Sequence, residues 1–197
     1  MTAHPSRLAD RTACHWLALA AEMADQASGN RSLSADPALT GWPRLPRIAT
    51  CTPGGGAGSV RAARDFTIAT VQRWGVTERT EDIATVVSEL LTNALQHALP
   101  ASGENKIRWP IRLGLLRPGP CVLCAVADPS EVAPMPQAPN SLAETGRGLH
   151  IICALSDNWG YTALSDMGKV VWAVFSTRLT PPFRHPSPGA SRGLVRQ

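Results

Sequence analysis

The stretch VVSELLTNALQHA, Val86 to Ala98, sets a carboxylate, an amide and an imidazole at four-residue steps. Side chains four apart on a helix stand one above the other, so Glu89, Asn93 and His97 form a single stripe. Ile83, Val87, Leu90, Ala94 and Ala98 fall on an apolar face, and Ser88, Thr92 and Gln96 fall opposite. The stripe runs along the boundary, where a polar groove meets a core. A carboxylate there can act as a general base. An amide oxygen beside it is a hard ligand suited to magnesium, which keeps several waters and is shared with substrate phosphates. Spacing alone also fits a polar rim on an ordinary amphipathic helix, and His97 also fits a packed histidine at the helix end, so the stripe needs support from elsewhere in the chain.

That support begins at ETGRGLHIICAL, Glu144 to Leu155, where Gly146 and Gly148 flank Arg147 directly before an apolar run. Backbone N–H groups and a cation converging at a helix N-terminus attract phosphate. The pattern is neither GxGxxG nor GxxxxGK, which removes Rossmann and P-loop readings. Between the two segments lies CVLCAVADPS, a buried-strand pattern whose only carboxylate, Asp128, stands at its end and can accept from a ligand N–H. The loop from Pro129 to Thr145 carries Pro129, Pro134, Pro136 and Pro139 and is longer than the usual connection of about 4–6 residues. DNWGYTAL and MGKVVWAVFSTRL then read as two strands around a turn at Asp166 to Gly168.

Taken in order, SELLTNALQHA, VADPS, GRGLHIICALSDNWG and GKVVWAVF resemble the GHKL, or Bergerat-fold, ATP-binding domains of the histidine kinase-like ATPase superfamily. The nearest resemblance is to the anti-sigma-factor serine/threonine kinase branch, over about Ala57 to Phe175. The segment SVRAARDFTIATVQRWGV is similar to the first helix of that branch. The resemblance implies ATP and Mg²⁺ as cofactors, with Asn93 coordinating the metal and Glu89 as the base that takes a proton from a serine hydroxyl or a water. It implies that Asp128 accepts from the adenine amino group, and that Gly146, Arg147 and Gly148 line the phosphates beneath a lid formed by Pro129 to Thr145. Two positions depart from the family pattern. Pro129 and Ser130 follow Asp128 where relatives have Asp-x-Gly, and Val170 stands where many carry threonine, so weaker nucleotide binding is expected.

The 197 residues suit one domain with tails. We expect an N-terminal extension over 1–45, with a helix in RTACHWLALAAEMADQA and a breaker-rich linker, the ATP-binding domain over 46–179, and a Pro/Ser/Gly/Arg tail over 180–197. The apolar run Trp16 to Ala21 is too short to span a bilayer and is followed by Glu22, so neither membrane nor signal peptide is expected and the location reads as cytoplasmic. A net charge of +4, dispersed among arginines, gives no basic block for direct nucleic-acid binding. Arg61, Arg64 and Arg73 read as the wet face of a helix. Cys121 and Cys124 point to opposite sides of a strand, so neither a metal site nor a redox pair is expected, while Cys124 and Cys153 read as small buried hydrophobes.

The expected fold is α+β, a two-layer α/β sandwich of the Bergerat type: a mixed, mostly antiparallel sheet with helices on one face. Its strands are Pro46 to Thr52, Ile107 to Leu116, Cys121 to Asp128, Asn158 to Leu164 and Lys169 to Thr177, with Pro110 marking an edge or a bulge. The expected function is an ATP-dependent serine/threonine kinase acting on a partner protein, such as an anti-sigma-factor antagonist or a sigma factor, with room for a homodimer. The alternative is a regulator of the same fold that binds nucleotide weakly or not at all and works by docking. A sensor histidine kinase is disfavoured, because no dimerisation helix with a phosphoacceptor histidine precedes the domain and His15 lies in a short segment.

Overall fold

The computed structural model describes residues 7–28, 47–56, 58–98, 110–135, 147–164 and 168–177. Helix α1 (Arg7–Ser28) comes first, then β1 (Arg47–Cys51), α2 (Ser59–Arg73) and α3 (Thr80–Ala98). Strands β2 (Arg112–Arg117) and β3 (Cys121–Asp128), helix α4 (Gly148–Leu155), and strands β4 (Asn158–Leu164) and β5 (Gly168–Ser176) follow among the described residues. The fold is α+β, an open five-stranded sheet in the order β1-β2-β3-β5-β4, and every pairing is antiparallel. Strand β2 is second in the sheet and begins after Pro110 and Ile111. Pro110 therefore marks neither an edge strand nor a bulge; it precedes the ladder, where its missing N–H removes no hydrogen bond.

Helix α2 ends in a Schellman turn: Gly75 takes φ +76°, its N–H donates to the Gln72 carbonyl at 2.8 Å, and the Val76 N–H donates to the Val71 carbonyl at 3.0 Å. Only a residue without a Cβ adopts that φ at little cost, so the glycine in RWGV fixes where α2 stops and α3 can start. Acidic Glu81 and Asp82 in the first turn of α3, and His97 in its last, complement the helix dipole. Arg79 clamps the C-terminus of α4: it donates to the Leu155 carbonyl at 2.6 Å, pairs with Asp157 at 3.3 Å and lies 5.4 Å above the Phe175 ring.

Strand alternation sorts the core into two. Val122, Cys124 and Val126 of β3 join Val171, Ala173 and Phe175 of β5 in a cluster with Ile83, Val87, Leu90 and Leu91 of α3. Their neighbours Leu123, Ala125, Ala127, Val170, Trp172 and Val174 point through the other face. The sandwich expected from the sequence is thus present on the side of α2, α3 and α4, and α1 adds a third layer on the far side. Trp16, Leu17, Ala20 and Ala24, one stripe of α1, are buried there against the sheet. The Trp16 ring sits where Gly114 leaves room, and the Trp172 ring where Gly160 does. A sheet face this apolar is covered because each large side chain buried on it is worth about 1.5–3 kcal/mol.

Candidate functional site

Helix α3, helix α4 and the facing ends of β3 and β5 enclose a cavity of about 430 Å³. Asn93 and His97 stand on its wall from α3, Gly148 from α4, Asp128 from β3 and Lys169 from β5. A volume of this order falls in the usual small-ligand range of ~300–1,000 Å³. The wall combines apolar flanks, among them Leu90, Ala94 and Val171, with a few convergent polar groups.

The packing of α3 places the stripe. Val86, Val87, Leu90, Leu91 and Ala94 are all buried, a wider apolar face than one heptad seam, because α3 touches α2 on one side and the sheet and α4 on the others. Glu89 and Asn93 are left half-buried at the border with α4. The contact there is close: a Cβ on Gly148 would lie 2.9 Å from Glu89 Oε2 and 3.3 Å from the Asn93 amide atoms. Gly148 is therefore the residue that lets the start of α4 press against the Glu89 and Asn93 side chains. Glu89 itself meets α4 beside the cavity, not on its wall. Arg147 is exposed at the N-cap position of α4, and its carbonyl accepts the Ile151 N–H at 3.0 Å. Gly146 and most of the expected lid lie outside the described residues. His97, at the helix end, is exposed on the cavity wall rather than packed.

Asp128 and Lys169, also on the cavity wall, are cross-strand partners in the β3–β5 register and both are buried. The Lys169 ammonium donates to Asp128 Oδ1 at 2.9 Å and to the Ser130 carbonyl at 3.2 Å, while the Ser130 N–H also donates to Asp128 Oδ1, at 2.8 Å. Burial pushes the Asp128 acid above the ordinary carboxylate value, and the Lys169 bond and charge, with the Ser130 N–H, pull it back toward the ionised form. Gly168 makes this junction: its φ is +98°, and a Cβ would lie 2.2 Å from the Asp128 carbonyl and 2.7 Å from the Pro129 backbone. Ser130 thus replaces the expected glycine without opening the turn, because its N–H closes on the Asp128 side chain and its hydroxyl accepts the Val132 N–H at 3.2 Å.

Two expectations change. Val170 faces α1, not the cavity; Lys169 and Val171 are the cavity-side residues. Cys153 is exposed on α4, whereas Cys124 is buried with its thiol pushed up to about 12 by burial. Cys121 and Cys124 do lie in opposite clusters. Sequence reasoning passed over Lys169, although a lysine inside GKVVWAVF was the available signal: a charge one residue into an apolar strand needs a buried partner. Among the described residues no group of three or more His, Cys, Asp or Glu side chains could hold a metal ion, and no helix is long and apolar enough to cross a membrane.

No curated protein matches the chain. Among solved structures, the crystal structure of the RsbU and RsbW domains of Rv1364c from Mycobacterium tuberculosis is similar at 16% identity and a TM-score of 0.48, covering 66% of this chain and 32% of that one, so the chain spans about a third of that protein's length. The family model for the histidine kinase-like ATPase domain matches residues 56–175, the span that holds α3, the Asp128–Lys169 junction and α4, and the chain belongs to that family.

Proposed function

We propose that this ATP-binding domain works as a protein serine/threonine kinase of the anti-sigma-factor type, phosphorylating a partner antagonist. The observation that supports it best is the cavity itself: the Asn93 amide, the glycine start of α4 and the Asp128 carboxylate all stand on the wall of one space. Phosphates need N–H groups and a metal ligand, a base needs an acceptor, and one apolar-flanked space offers all of these on its wall.

Asn93 would hold Mg²⁺ through its amide oxygen, with the remaining positions filled by phosphate oxygens and water. The ion supplies neutralisation of phosphate charge when bound. Asp128 accepts from the amino group of the base. The Gly148 end of α4 directs unpaired backbone N–H groups at the phosphates, and exposed Arg147 adds a cation on the same side. Glu89, one turn before Asn93, accepts the proton of the attacking serine hydroxyl at its carboxylate.

Calorimetric titration with ATP in the presence and absence of Mg²⁺ tests the nucleotide half. Incubation with labelled ATP and small antagonist domains from the same genome tests the transfer half. A second reading, a regulator that docks a partner without transferring phosphate, is favoured by one feature: Asp128 Oδ1 already holds two hydrogen bonds. Protein that binds no ATP, or binds it and labels no antagonist, would establish that reading instead.

A further inference from the structure

The Asp128–Lys169 pair lines the cavity and, among the described residues, has more hydrogen-bonding capacity than its contacts use. An ammonium has three N–H donors, and two go to Asp128 Oδ1 and the Ser130 carbonyl. A carboxylate has two oxygens, and among the described residues both bonds it receives fall on Oδ1. One donor and one acceptor therefore remain side by side, on residues that both reach the cavity wall. They are also held still. The two residues are direct cross-strand partners, Gly168 brings the start of β5 against the Asp128 carbonyl, and Lys169 is anchored at two points. A swinging surface lysine would satisfy whatever acceptor came near; a pinned one can distinguish the order of donor and acceptor on a ligand's edge.

We propose that Lys169 is a specificity-determining residue of this site, donating its third N–H to the N1 ring nitrogen of adenine next to the amino group that Asp128 accepts. The inference rests on the ATP-binding reading above and adds to it a second contact to the base. Adenine presents a donor at N6 and an acceptor at N1, matching Asp128 Oδ2 and Lys169 Nζ. Guanine presents acceptor and donor in the reverse order at the same two positions, so the fixed pair discriminates against it. The flanks suit a flat aromatic ring, since Leu90, Ala94 and Val171 border the same space.

The test compares ATP with 1-deaza-ATP, which keeps the amino group and replaces N1 by C–H, in calorimetric titrations of the full chain with Mg²⁺. Wild-type protein should bind 1-deaza-ATP about 10- to 100-fold more weakly than ATP, the worth of a hydrogen bond from a charged donor. Lys169→Met should bind the two nucleotides alike. Because that variant leaves Asp128 buried without its cation, the double variant Lys169→Met/Asp128→Asn, neutral at both positions, serves as the second comparison, with thermal melting to check folding. Equal affinity of wild type for ATP and 1-deaza-ATP overturns the role of Lys169 while leaving ATP binding intact. The same holds if discrimination survives in a folded Lys169 variant. Absence of ATP binding by wild type overturns the ATP-binding reading itself, and the base contact with it.

Discussion

The two faces of strand β5 are built from alternate residues of one short sequence and serve opposite ends. Lys169 and Val171 look toward α3 and the cavity; Val170, Trp172 and Val174 look toward α1 and take part in nothing but packing. The cavity side keeps polar atoms and empty volume, both of which cost stability. The α1 side is filled by rings lodged against Gly114 and Gly160, although the indole N–H groups of Trp16 and Trp172 find no partner among the described residues. The site's polarity is thus carried by one face and supported from behind by the other.

The largest expected effect lies wholly on the cavity side. Glu89→Gln should lower labelling of a partner serine by roughly 10²–10⁴-fold while ATP affinity and melting temperature stay close to wild type, since the amide keeps the size of the carboxylate but not its basicity. Phosphorylation at the wild-type rate would remove the base assignment. Next comes Gly168→Ala, at the junction of both faces. Its Cβ would meet the Asp128 and Pro129 backbone, which cannot swing aside, and the positive φ is strained for alanine; a loss of about 3 kcal/mol in denaturant unfolding is expected, with weakened ATP binding because Asp128 must shift.

On the α1 side, Leu17→Ala should cost about 2–3 kcal/mol of stability and leave the affinity for ATP of the folded protein unchanged. A large change in that affinity without unfolding would mean that the two faces are coupled, and the separation drawn here would fail. The smallest effect belongs to Asp157, at the sheet end near Arg79. Burial alone would raise its acid, but the Ser176 N–H and Arg79 more than offset this and hold it below the ordinary carboxylate value. A depressed acid contributes stability that is present above its ordinary value and lost as pH falls through the lower folded value. Because the side chain is 39% exposed, solvent screening limits the gain to about 1 kcal/mol or less. Asp157→Asn should therefore melt slightly below wild type at neutral pH, with the gap closing in acid below the ordinary value of 3.8. A gap that is constant with pH would point to lost packing instead of charge.

The comparison also marks how far the sequence reached. Four-residue spacing located Glu89 and Asn93 on one stripe, strand alternation split Cys121 from Cys124, and the Gly-Arg-Gly start placed α4, because these are short-range consequences of helix and strand geometry. Four strands were readable to within a residue or two; the strand expected over Ile107 to Leu116 starts only at Arg112, after Pro110 and Ile111. The helix in the N-terminal extension was legible too, but its partner was not. Nothing in the sequence of Trp16, Leu17, Ala20 and Ala24 says that they cover the back of a sheet more than a hundred residues further along.

Local periodicity therefore determined the elements, their order and the stripe of α3, since each depends on residues a few positions apart. Tertiary structure decided that Val170 faces away from the cavity and Lys169 into it, that Lys169 pairs with Asp128 across 41 positions of chain, and that Gly148 meets Glu89 and Asn93. Those contacts depend on the register between β3 and β5 and on the packing of α4 against α3. Long-range register is set by the burial of all the strands together, and no single segment contains it.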